Sequence, residues 1–159
     1  MFGLFRPSKV IDPTLGELVR SRGYWRGTVS IGPYSNVTLA VAGGRAAPES
    51  AALAAAREVP TQFSAWRADI ALAVHEHYKP YAEAIAAGEL PSPGAWFPIL
   101  ALPSEVWPHL FLTFVCVGPL SGSLTVELGM NVEWDEEHIL GARFQAGKFA
   151  ELCGSTVPP

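Results

Sequence analysis

The chain has 159 residues, 49% of them hydrophobic and 16% charged, and a formal net charge of −4. That length suits one domain, residues 1–159, able to bury about 70% of its unfolded surface without metals or disulfides, and the composition is the reverse of a disordered chain. No apolar run approaches the roughly 20 residues of a membrane-spanning helix. The acidic balance also argues against nucleic acid, because phosphate contacts need Lys and Arg.

Taken in chain order, Met1 to Phe5 is too short for a signal-peptide core and is followed at once by Arg6 and Pro7, so a cytosolic protein is expected. The charge is uneven. Arg6, Lys9, Arg20, Arg22 and Arg26 face only Asp12 and Glu17 in the first 26 residues, whereas seven acids lie between Glu105 and Glu151 against Arg143 and Lys148. An acidic region of this kind is a solvated face or a surface for a basic protein partner. Leu15, Leu18 and Val19 have helical spacing, but the segment is short and Gly16 weakens a helix by about 1 kcal/mol, so Leu15–Arg20 is expected as an edge strand. Trp25, Val29 and Ile31 alternate with Arg26, Thr28 and Ser30, and Val37, Leu39 and Val41 alternate with Thr38 and Ala40. The turn-rich stretch between them makes a hairpin.

From Pro48 to Val59 the chain is alanine-rich and predicts a helix, with Pro60 as a break or kink. A second helix is expected from about Thr61 to Ala87 on the stripe Phe63, Trp66, Ile70, Val74, His77, Tyr81 and Ile85. Pro80 should kink it and Gly88 should end it. A connection carrying Pro91, Pro93, Pro98, Pro103 and Pro108 follows, with Trp96 and Phe97 placed to plug the core rim or cover a site. Strands are then expected at about Leu110–Val117, Ser123–Trp134, Ile139–Gln145 and Lys148–Leu152, with connectors short enough for antiparallel neighbours. The fold class is α+β: an antiparallel sheet made of an N-terminal hairpin or three-strand meander plus a C-terminal four-strand meander, with one or two central helices on one face.

In Ser123–Trp134, Leu124, Val126, Leu128, Met130, Val132 and Trp134 fall on one side and Thr125, Glu127, Asn131 and Glu133 on the other. That is a strand with one packed and one wet face. It runs into Asp135, Glu136, Glu137 and His138, the densest ionisable cluster of the chain, expected as a polar hairpin turn anchored by Trp134. These five residues are the candidate partner-binding site. The donors are dense enough to suggest a cation, yet four adjacent residues cannot all face one centre, and no metal or other cofactor is expected.

His75-Glu76-His77 fails as a zinc motif, since residues two apart lie about 200° around a helix axis. His77 belongs to the apolar stripe and His75 to the exposed side. Cys116 and Cys153 have no metal-ligand or disulfide spacing and are expected reduced, with Cys116 buried. Gly43-Gly44-Arg45 lacks phosphate-loop spacing, and Ser121-Gly122-Ser123 is a turn rather than a nucleophile elbow. Arg20, Arg22 and Arg26 interleave with Tyr24 and Trp25, for which cation–π packing is the simplest account.

Several of these marks resemble small uncharacterised bacterial proteins classed as domains of unknown function. They are Leu15-Gly16-Glu17-Leu18, Trp25-Arg26-Gly27, the helix with Tyr78, Trp134-Asp135-Glu136-Glu137-His138, then Gly141, Phe144 and Phe149–Gly154. The resemblance implies an α+β fold and brings no reaction, cofactor or catalytic residue. Some relatives are similar to cytosolic immunity proteins of bacterial toxin systems. Two functions are therefore expected to compete: a non-enzymatic binding protein, immunity-like or regulatory, and an enzyme or small-ligand binder with a pocket between the central helices and the proline-rich loop around Trp96.

Overall fold

In the computed structural model, residues 8–91 and 97–159 are described; Met1–Phe5, Arg6, Pro93 and Trp96 lie outside the described residues. Eight strands form one sheet in which every spatial neighbour is also the neighbour in sequence. They are β1 (Lys9–Asp12), β2 (Gly16–Ser21), β3 (Tyr24–Ile31), β4 (Tyr34–Ala42), β5 (Leu110–Leu120), β6 (Ser123–Val132), β7 (Asp135–Gln145) and β8 (Lys148–Thr156). Helix α1 (Ser50–Ala86) separates β4 from β5 and packs on one face, and a 3-10 helix (Pro103–His109) precedes β5.

The fold is the expected α+β, with three differences. First, β4 and β5 pair in parallel, Thr38 beside Phe114 and Val41 beside Val117. A parallel join needs a crossover of a dozen or more residues, and α1 supplies it. Second, the N-terminal meander has four strands. β1 pairs with β2 outside it, so the Leu15–Arg20 segment is a strand but not an edge. Asp12 closes the turn between them, its Oδ1 accepting the amides of Thr14 and Leu15 at 2.9 Å each. Third, one helix of 37 residues replaces two, running unbroken through Pro60. Proline there removes the bond to the Ala56 carbonyl, at a cost near 3 kcal/mol. Ala52, Ala56, Val59, Phe63, Trp66, Ile70 and Val74 nevertheless stay buried as one stripe across that point, and their burial outweighs it.

Trp66 shows how the helix is seated. Its ring stacks on Phe144 at 4.1 Å and its indole N–H donates to the Gly147 carbonyl at 3.0 Å. Gly88 ends α1 as expected, with φ +74. The β5–β6 and β7–β8 connections shrink to Ser121-Gly122 and Ala146-Gly147, both residues of each pair at positive φ, the form that matches strand twist. Val126, Leu128, Met130 and Val132 are buried on the helix side as predicted, whereas Leu124 is 37% exposed. Thr125, expected on a wet face, is buried because it donates to the Ser123 carbonyl and accepts from Gln145.

Candidate functional site: the Asp135 hub

The β6–β7 turn is Glu133-Trp134, not Asp135–His138. Val132 pairs with Asp135, so the acidic residues open β7. Their surroundings then separate them. Trp134 and Asp135 are both 6% exposed, while Glu136, Glu137 and His138 face solvent.

Asp135 is a hub between sheet and helix. Its Oδ2 accepts the Tyr81 hydroxyl of α1 at 2.8 Å, and its Oδ1 accepts the backbone amides of Glu137 and His138 at 3.3 and 3.2 Å. His138 Nδ1 lies 2.9 Å from Oδ1 and 3.1 Å from Oδ2. A carboxylate only accepts, so His138 carries its proton on Nδ1 and turns Nε2 outward. Trp134 Nε1 reaches His77 Nδ1 at 3.2 Å, and His77 Nε2 stands 3.6 Å from Asp135 Oδ2. An indole N–H only donates, so neutral His77 holds its proton on Nε2, facing Asp135.

The protonation equilibria follow from these contacts. Burial alone would raise the Asp135 carboxyl, but the Tyr81 and His138 hydrogen bonds outweigh it and hold it below its ordinary value. Burial, with the Asp135 hydrogen bond and charge, pushes Tyr81 up to about 12. His77 is lowered by burial and by His138, against the opposing pull of Asp135. Its protonation on Nδ1 would also break the Trp134 bond.

A cleft of about 450 Å³ lies beside the hub, with Tyr81 and Ile85 of α1, Leu90, Pro91 and Phe97 of the following segment, and Glu133–His138 around it. The five residues expected as a partner surface thus share one cleft with Tyr81 and Phe97, while Trp96, around which a pocket was expected, lies outside the described residues. Sequence reasoning missed Tyr81 and His77 as partners of Asp135, although both lie on the helical stripe that it identified.

His75, expected on the exposed side, is buried, its Nε2 3.1 Å from the Leu100 carbonyl, while His77 stays on the stripe, half-buried in the cluster and bonded to Trp134. The cause is a second covered flank on α1. Pro98 and Leu100 lie over Tyr78, whose hydroxyl donates to the Pro98 carbonyl at 2.7 Å. The remaining motifs are structural. Trp25 is buried and donates to Gly44 at 3.0 Å, while Arg26 lies over the Tyr24 ring at 5.5 Å on the other face. Cys116 and Cys153 are free and only half-buried. Among the described residues no group of three His, Cys, Asp or Glu is placed to hold a metal, and no helix is long and apolar enough to cross a membrane.

The family model described as a domain of unknown function (DUF6985) matches residues 14–156. The chain belongs to that family. No curated protein and no solved structure matches it. The DUF6985 match begins at the β1–β2 turn and ends at the last residue of β8, so it takes in α1, the Asp135 hub and every strand except β1.

Proposed function

We propose that the protein is a non-enzymatic binding protein that holds a basic segment of a protein partner at the Asp135 cleft. One observation carries this reading. The exposed polar groups at the mouth, the Glu136 and Glu137 carboxylates, are both hydrogen-bond acceptors above an apolar floor of Ile85, Leu90 and Pro91. A guanidinium or ammonium group is donor-only and carries an aliphatic stem, so an Arg or Lys side chain complements both levels. Asp135 keeps the acceptors in place from β7, a rigid element.

His138 oriented by Asp135 has the form of a base with its orienter, which favours the rival enzymatic reading. Among the described residues lining the cleft, however, no Ser, Thr or Cys stands beside it. A cytosolic bacterial role, immunity-like or regulatory, extends the proposal. Its support is the resemblance carried by Trp134–His138.

The test uses an Arg-containing peptide and its citrulline counterpart, which keeps the shape and loses the charge. The Arg peptide should shift the Trp134 indole and Glu137 amide resonances. Glu136→Gln/Glu137→Gln should weaken that binding at low salt and lose the difference at high salt, because exposed charges are screened beyond about 10 Å at 0.1 M. Equal binding of the citrulline peptide, or shifts confined to another face, would overturn the proposal.

A further inference from the structure

The Asp135 cleft has aromatic walls as well as an acidic mouth. Three rings line it, each from a different part of the chain: Tyr81 from α1, Phe97 from the segment that follows, and Trp134 from the β6–β7 turn. Tyr81 stands three residues after Tyr78 and four after His77, so all three share one flank of the helix.

Tyr78 fixes two of the walls from behind. Its hydroxyl donates to the Pro98 carbonyl at 2.7 Å and accepts the Leu100 amide at 3.2 Å, which draws the chain around Phe97 onto the helix. The Phe97 ring stacks on Tyr78 at 5.7 Å with an interplanar angle of 22°. The Trp134 ring meets the same ring edge-on, at 5.3 Å and 75°. Two rings set so differently against a third cannot be parallel, so Phe97 and Trp134 are walls at an angle rather than a closed stack. Tyr81 is the third wall. Its hydroxyl is tied to Asp135 at 2.8 Å and its ring lies 5.3 Å from that of His77.

The charge around these rings has one sign. The described lining residues include Glu133, Glu136 and Glu137 besides Asp135, and no Lys or Arg. Glu133 is positioned by His109, whose Nδ1 lies 2.6 Å from its Oε2. Ring faces are negative, so they attract a cation without needing a hydrogen bond from it. A lysine ammonium is compact and strongly hydrated, and moving it between rings strips water from its three N–H groups. Methylation removes those donors and keeps the charge. The cost of leaving water falls, while the attraction of rings and carboxylates remains. At about 450 Å³ the cleft is at the small end of ligand sites, which run from roughly 300 to 1,000 Å³, and suits one such group with its stem.

We infer that the cation this cleft takes is a trimethylammonium group, held between Tyr81, Phe97 and Trp134 with the carboxylates around it. This rests on the reading of the Asp135 cleft as a cation site and adds which cation it selects.

One peptide with a single variable position tests it, carrying lysine, trimethyllysine or the neutral isostere that ends in a tert-butyl group. Free choline is the fourth ligand and separates a small quaternary amine from a modified protein segment. Affinity is measured by calorimetry on the full chain, and the Trp134 indole and Glu137 amide resonances locate the binding. The trimethyllysine peptide should bind at least about fivefold tighter than the lysine peptide, with the neutral isostere and choline both weaker than it. Phe97→Leu removes one ring and keeps apolar bulk, so it should bring trimethyllysine down toward lysine. Glu136→Gln/Glu137→Gln should instead weaken the two cationic peptides alike. Lysine bound as tightly as trimethyllysine, or an undiminished preference in Phe97→Leu, would overturn the inference and leave the basic-segment reading standing. Equal binding of the neutral isostere, or no binding of either cationic peptide or choline at this cleft, would overturn both. Choline bound as tightly as the trimethyllysine peptide would support the trimethylammonium site and overturn the protein-segment reading.

Discussion

Replacing Asp135 by alanine tests whether the candidate site rests on a buried hub or on a charged surface strip. The side chain is 5% exposed and accepts the Tyr81 hydroxyl at 2.8 Å, its shortest contact. Hydrogen bonds to a charged group contribute about 1.5–3 kcal/mol when one partner is removed. The His138 contact adds little, because that imidazole is 44% exposed and such pairs contribute about 0–1 kcal/mol. The two amide contacts, at 3.2 and 3.3 Å, are long and weak. The expected loss is therefore about 2–3 kcal/mol, a fall in melting temperature of roughly 4–12 °C for a chain of this size. Glu136→Ala and Glu137→Ala, on exposed side chains, should each stay within about 0.5 kcal/mol. Urea unfolding followed by Trp fluorescence measures all three. The pH dependence has a definite sign. A carboxyl held below its ordinary value of 3.8 contributes stability above that pH and loses it as pH falls toward the folded value. The gap between the wild type and Asp135→Asn should narrow in the same direction. In Asp135→Asn, His77 should also become harder to protonate, since the one contact favouring its charged form is gone. A melting temperature of Asp135→Ala no lower than that of Glu136→Ala would refute the hub.

Two further outcomes follow from packing. Asp12 accepts Arg57 Nε and Nη2 at 3.0 and 2.6 Å, which holds its carboxyl down to about 2; Asp12→Asn should cost about 1–2 kcal/mol near neutrality, discounted for the exposed Arg57, with the difference vanishing as pH falls from about 4 to 2. An unchanged gap across that window in urea titrations would contradict the role of the ion pair. Leu128 is fully buried beneath α1, so Leu128→Ala should lose about 2–5 kcal/mol by thermal melt, and no loss would reject the β6 register.

Local chemistry made much of this fold legible in the sequence. The two-residue alternation of β3, β4 and β6 and the Phe63–Val74 stripe report which side chains leave water, and that is a property of spacing alone. Gly88 and Gly147 were readable as an end and a turn because positive φ selects glycine. The acidic segment was legible as a cluster but not as a site. Whether a carboxylate is exposed depends on what lies across from it, and the Tyr81 hydroxyl that buries Asp135 comes from 54 residues away.

Tertiary structure decided the rest. Pro60 carries a strong local signal to break a helix, and only the sheet beneath Ala56, Val59 and Phe63 offsets it. His75 is buried because a second flank of α1 is covered by Pro98–Leu100, a contact no helical period contains. The sheet face away from α1 is the extreme case. The cross-strand row from Arg26 to Glu151 draws one residue from each of six strands, and each of these residues alone reads as an ordinary member of a strand. Pairing register sets them side by side, and register is fixed by burial on the opposite face of the sheet rather than by these residues themselves.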